Sequence, residues 1–197
     1  GIAFPKHAEI KKEKIITCVA AKAEFKGPDI FLDALSRLDS EKNKEWKAIL
    51  ISPQHSRTTE EYSKKLSRLM SKANIPLENY DQLPHQTVME ILGKSSIVIV
   101  PSRIDEGFGL TALEAHLNQC AVISTGRGGL KEVSGNAAIF FDPKDPGTLA
   151  LSLQLLTSDQ IELKRLQKNG FNHALKKFSI DRIANQWKVL LHDEATK

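Results

Sequence analysis

At 197 residues, with 41% hydrophobic and 26% charged side chains, the chain has the length and composition of one soluble globular domain with a sizeable core. Its net charge of +4, from 28 basic against 24 acidic residues, is modest and dispersed and gives no support for a nucleic-acid partner. No apolar run approaches the ~20 residues that span a bilayer, so the expected compartment is the cytoplasm, extending to the inner face of the membrane.

Residues 1–14 carry no periodicity and read as an extended lead-in. Ile15 to Ala20 predicts a first strand, and after the loop 21–27, Pro28 opens a helix whose Ile30, Phe31, Ala34, Leu35 and Leu38 fall at helical spacing. A second strand lies within Trp46 to Ser52, and Glu61 to Ile75 reads as an amphipathic helix with Tyr62, Leu66, Leu69, Met70 and Ala73 on its core face. A short strand near Asn79 to Leu83 and a turn at Pro84 lead to a helix over Thr87 to Gly93.

Ile97 to Val100 is a continuous apolar, mostly β-branched run, the pattern of a strand buried on both faces of a parallel sheet. Pro101 ends it. A loop containing Gly107 and Gly109 follows, and then a helix over Leu110 to Leu117. Strand, glycine loop and helix N-terminus in succession can hold a phosphate, because the first-turn N–H groups point outward and the macrodipole favours negative charge. Further strands are expected at Cys120 to Ser124 and Ala138 to Phe141, separated by the glycine loop 125–129. Three helices complete the chain, one opened by Asp145 and Pro146 and the others near Gln160 to Lys177 and Ile180 to His192, with a tail over 193–197.

This alternation implies one α/β domain over residues 15–192, a doubly wound parallel sheet with right-handed crossovers. Ligands bind such sheets at the carboxyl ends of the strands, the edge on which loops 21–27, 101–109 and 125–129 all lie. Cys18 and Cys120 both sit in apolar runs and read as buried thiols rather than a disulfide. The six histidines show no metal-ligand spacing, and there is no D-x-D, no G-x-x-x-x-G-K-[ST], no G-x-G-x-x-G and no G-x-S-x-G. Neither a metal nor an organic cofactor is expected.

Glu106 and Glu114 bracket the central loop and helix start. A carboxylate does not bind phosphate, so if both act on one ligand they meet another part of it, for which sugar hydroxyls are the obvious groups. Taken alone, Glu106 also reads as an acidic turn residue and Glu114 as a solvated helix residue. The stretch from Glu106 to Glu114, EGFGLTALE, resembles the E-x7-E signature of the retaining glycosyltransferases of family four, in the donor-binding half of the GT-B fold. Gly128 to Val133, GGLKEV, resembles that family's GG-x-x-E-V turn, which by itself is also an ordinary strand-to-helix connection.

The resemblance implies a Rossmann-like domain, one half of a GT-B enzyme, following an N-terminal domain outside this sequence. It implies that Lys26, with Lys22, neutralises the diphosphate of a nucleotide sugar such as a UDP- or GDP-sugar, helped by backbone N–H groups near Leu110 and Thr111. Glu106 and the backbone of Gly107, Phe108 and Gly109 would hold the transferred sugar, Glu114 the ribose hydroxyls, and Leu83 and its neighbours the base. Lys26 and Glu106 would be the catalytic groups, acting with retention on a glycan or lipid-linked acceptor in cell-envelope polysaccharide or lipopolysaccharide synthesis. The isolated domain would bind donor and transfer little. The sequence departs from the family at Ala21, where an Arg is usual, and at Asp81, where a glycine is usual. Another GT-B enzyme, an epimerase or phosphorylase, and a non-catalytic nucleotide-binding module are the alternatives.

Overall fold

The computed structural model describes residues 11–195. Six strands form one parallel sheet in the order β3-β2-β1-β4-β5-β6, with β1 Glu13–Val19, β2 Lys47–Ile51, β3 Leu77–Tyr80, β4 Ser95–Val100, β5 Ala121–Ser124 and β6 Ala138–Phe140. The helices among the described residues are α1 Pro28–Ser36, α2 Glu60–Met70, α3 His85–Lys94, α4 Leu110–Leu117, α5 Gly129–Ser134, α6 Pro146–Ser158, α7 Gln160–Phe178 and α8 Ile180–Ala195. This is the expected doubly wound α/β sheet.

The continuous apolar strands are explained by cover on both faces. Ile97 and Ile99 of β4 join Ile16 and Cys18 of β1 in a core roofed by α1, α2 and α6. Val98 and Val100 turn the other way, into a second core with Leu113 of α4 and Ala174 of α7. Registering Ile16 against Ile97 and Cys18 against Ile99 keeps these sets in step. Both cysteines are buried and free.

Several boundaries move. β1 starts at Glu13, and Lys12 just before it donates from Nζ to Leu92 O at 3.1 Å and Gly93 O at 2.9 Å, capping the end of α3. The domain therefore reaches back into the expected lead-in, whose residues 1–10 lie outside the described residues. Lys11, Glu13 and Lys14 carry no apolar signal because they are the exposed entry to a strand. α2 ends at Met70, because Ser71 to Asn74 turn to bring Pro76 and Leu77 alongside β2. β3 thus runs earlier than Asn79 to Leu83. α8 extends past His192, so part of the expected tail is helical, and it leaves Trp187 61% and Leu191 65% exposed.

The chain builds outward from β1 to β3, crosses back through α3 to lay β4 on the other side of β1, and builds outward again. The reversal falls between β1 and β4. At such a switch point the loops leaving neighbouring strands diverge and open a crevice at the strands' carboxyl ends.

Candidate functional site

Two loops form that crevice. The first, after β1, contains a 3-10 turn Glu24–Lys26 closed by Gly27 at φ 71°. A Cβ at Gly27 would lie 2.1 Å from Pro101 O, so glycine is what lets this loop press its backbone against the loop leaving β4. The second loop ends at Gly109, from which α4 begins, and the first N–H groups of α4 have no carbonyl within the helix to bond. Gly128 backs this loop from behind. It bridges to Glu106, and a Cβ there would approach Glu106 O to 2.5 Å. The third glycine loop, which lies on the same strand edge, props up the second.

The cleft has a volume of about 390 Å³. Lys26, Glu106, Phe108, Gly109, Leu110 and Thr111, six of the candidate residues, line it alongside Ala20, Ala21 and Ser102. Lys26 Nζ lies 2.8 and 3.0 Å from the two carboxylate oxygens of Glu106, so the cleft's cation and anion pair across its mouth. The Phe108 ring is braced edge-on by Phe178, at the end of α7, with centroids 5.6 Å apart.

The remaining candidates are not brought into this lining. Lys22 Nζ pairs with Asp81, because its side chain leaves the loop toward the end of β3 rather than toward α4. Asp81, one of the two departures from the family pattern, is therefore the partner of Lys22, the residue that follows the other, Ala21. Glu114 sits one turn below Thr111, where its Oε1 is 2.9 Å from Nε2 of His85 at the start of α3. Its side chain is 16% exposed. Leu83, two residues before His85, packs on Ile15, Ile49 and Ile51. Gly107 is exposed, and no heavy atom lies within 4 Å of the Cβ it lacks.

Sequence reasoning missed Asp29, Arg103 and His85. Asp29 is 5% exposed and takes hydrogen bonds from Arg103 Nη1 at 2.8 Å, Arg103 Nη2 at 2.9 Å, Lys65 Nζ at 2.8 Å and the Tyr62 hydroxyl at 2.7 Å. Burial pushes its carboxyl up, but these hydrogen bonds outweigh that effect and hold it at about 2. No spacing announces the cluster, since its members come from α1, α2 and the loop after β4. Among the described residues no group of three or more histidine, cysteine or carboxylate side chains is placed to hold a metal ion, and no helix is long and apolar enough to cross a membrane.

Comparison with known proteins agrees with this geometry. A family model described as "Glycosyl transferases group 1" matches residues 2–173. D-inositol 3-phosphate glycosyltransferase of Corynebacterium diphtheriae is 27% identical over 165 residues, 82% of this chain and 38% of that protein. The chain thus spans less than half the length of the first curated relatives it matches. Among solved structures, the C-terminal domain of a glycosyl transferase group 1 family protein (LpcC) from Francisella tularensis superposes with a TM-score of 0.70 at 24% identity, covering 86% of this chain and 89% of that one. Anabaena Alr3699/HepE, solved in complex with UDP, superposes with a TM-score of 0.76 at 18% identity, covering 93% of this chain and 50% of that one.

Proposed function

The chain belongs to the glycosyl transferases group 1 family, and from that premise we propose that it is the donor-binding half of a retaining enzyme that moves a sugar from a nucleotide-diphosphate sugar to a glycan or lipid-linked acceptor. The observation that carries the reading is a cation and a helix N-terminus on one cleft at the switch point: Lys26 from the β1 loop opposite the start of α4. A helix terminus contributes roughly 0.3–1 kcal/mol toward an exposed anion. That is too little for a departing diphosphate, whereas a charge-assisted hydrogen bond adds roughly 1.5–3 kcal/mol. Lys26 is therefore the group the chemistry depends on, with no metal required. Glu106 and the Gly107–Gly109 backbone meet the transferred sugar and support the positive charge that develops on it. Glu114, one turn along α4 from the cleft lining and bonded to His85, takes the ribose hydroxyls, and the segment from Leu83 to His85 flanks the base.

The acceptor and a further catalytic group belong to an N-terminal domain. On this reading the 197 residues bind donor and transfer little, and the whole enzyme works at the cytoplasmic face of the membrane in cell-envelope polysaccharide or lipopolysaccharide synthesis. A non-catalytic nucleotide-binding module is the second reading, favoured by one observation: Ala21 supplies no cation and the charge of Lys22 is already taken by Asp81. Calorimetric titration of the chain with UDP, GDP and ADP tests the donor site. UDP comes first because Alr3699/HepE binds it. Saturable binding of one nucleotide, weakened by Lys26→Ala, is expected; binding of none overturns the reading. Sugar transfer by the full-length protein separates the enzyme from the module.

A further inference from the structure

We propose that Arg103, held by Asp29, is a positioning residue that sets Lys26 against Glu106. The inference rests on the donor-site reading only for what Lys26 does, not for where it is held. Arg103 stands three residues before Glu106, on the loop leaving β4. Its guanidinium makes the two-point pair with Asp29 and also donates to the carbonyl of Glu24. Its backbone N–H donates to Phe25 O at 2.8 Å. Glu24 and Phe25 are the two residues before Lys26 in the 3-10 turn. One residue therefore grips both carbonyls that lead into Lys26, from the loop that carries the Lys26 partner.

The anchor behind it is rigid. Asp29 is fixed by the Tyr62 hydroxyl and Lys65 Nζ from α2 as well as by Arg103, so each of its oxygens accepts more than one hydrogen bond. If the Arg103 guanidinium served only to neutralise Asp29, its further bond would have no reason to fall on Glu24 O, beside the backbone bond that already joins Arg103 to Phe25. A planar fork satisfies carboxylate and carbonyl together, which a lysine ammonium on a flexible stem does not reproduce. Lys65 provides the control, since it bonds Asp29 but neither carbonyl.

The test compares Arg103→Lys, Asp29→Asn and Lys65→Ala in this chain by two readouts. The first is the acetic anhydride reactivity of Lys26 relative to exposed Lys72, read by mass spectrometry, which needs no nucleotide. Arg103→Lys and Asp29→Asn are expected to raise it about threefold, the size of a released half-exposed ion pair, while Lys65→Ala lowers the melting temperature and leaves it unchanged. The second is calorimetric UDP affinity with and without Lys26→Ala. Arg103→Lys should weaken binding about tenfold alone, the cost of one misplaced charge-assisted hydrogen bond, and not at all once Lys26 is gone. Unchanged Lys26 reactivity in folded Arg103→Lys, or an equal rise in Lys65→Ala, overturns the proposal. A reactivity shift in a chain that binds no nucleotide supports the positioning role and overturns the donor site instead.

Discussion

Lys26 and Glu106, 80 residues apart, meet in a two-oxygen ion pair across the mouth of the cleft, with side chains 31% and 18% exposed. Before any ligand arrives, the group that would bind a diphosphate is already occupied by the group that would face the sugar. On the donor-site reading proposed above, a diphosphate competes with Glu106 for Lys26.

Glu106→Gln should therefore tighten binding of bare UDP or whichever diphosphate the chain selects, by roughly two- to fivefold, the strength of a partly exposed pair. The same substitution should reduce sugar transfer in the full-length protein. Calorimetry on this chain and product assays on the full-length protein read the two effects, and weaker diphosphate binding in Glu106→Gln would contradict this competition.

Lys26→Ala should weaken the diphosphate by roughly ten- to a hundredfold, as expected for losing a charge-assisted hydrogen bond, with little effect on the corresponding nucleoside. Glu114→Ala should weaken nucleoside and nucleotide alike, because it is assigned to the ribose. Equal losses for both ligands in Lys26→Ala would place the phosphates elsewhere.

Gly27 and Gly107 should respond in opposite ways to alanine. Gly27→Ala forces a Cβ into Pro101 O from a positive φ and should cost on the order of 3 kcal/mol, about 6–12 °C of melting temperature for a domain this size. Gly107→Ala meets nothing within 4 Å and should leave the melting temperature unchanged. Reduced donor affinity in that variant would mark Gly107 as a point of close approach to the ligand.

Acid should loosen the α4 side of the domain. Burial, with the nearby charge of His173 adding to it, lowers His116 from 6.5 to about 4, and its Nε2 lies 3.2 Å from Ser134 Oγ. The imidazole is neutral when folded, while the unfolded chain binds a proton below 6.5. Stability is therefore complete above that pH and falls as pH drops from 6.5 to about 4, by roughly 3 kcal/mol in all. Urea unfolding at pH 7 and pH 4.5, on the parent and on His116→Phe, checks this; a parent slope matching the variant's would exclude His116 as the source.

Much of this molecule is legible in its sequence, because burial leaves a local signature. The uninterrupted run Ile97 to Val100 reports a strand covered on both faces, Pro28 and Gly27 report a turn into a helix, and Gly109 reports the tight entry into α4 against Leu130. From these the sequence by itself determined the α/β class, the order of elements, and the strand edge on which the cleft from Lys26 to Thr111 opens. Periodicity records that a side chain is buried or exposed, but not which distant group it meets. Only the tertiary structure decided that Lys26 is paired with Glu106, that Lys22 is drawn off to Asp81, that Glu114 is shared with His85, and that Asp29 and Arg103 clamp the first loop. Each of those contacts joins segments brought together by a crossover of the sheet, and the crossing of the chain from β3 back to β4 sets which loops become neighbours.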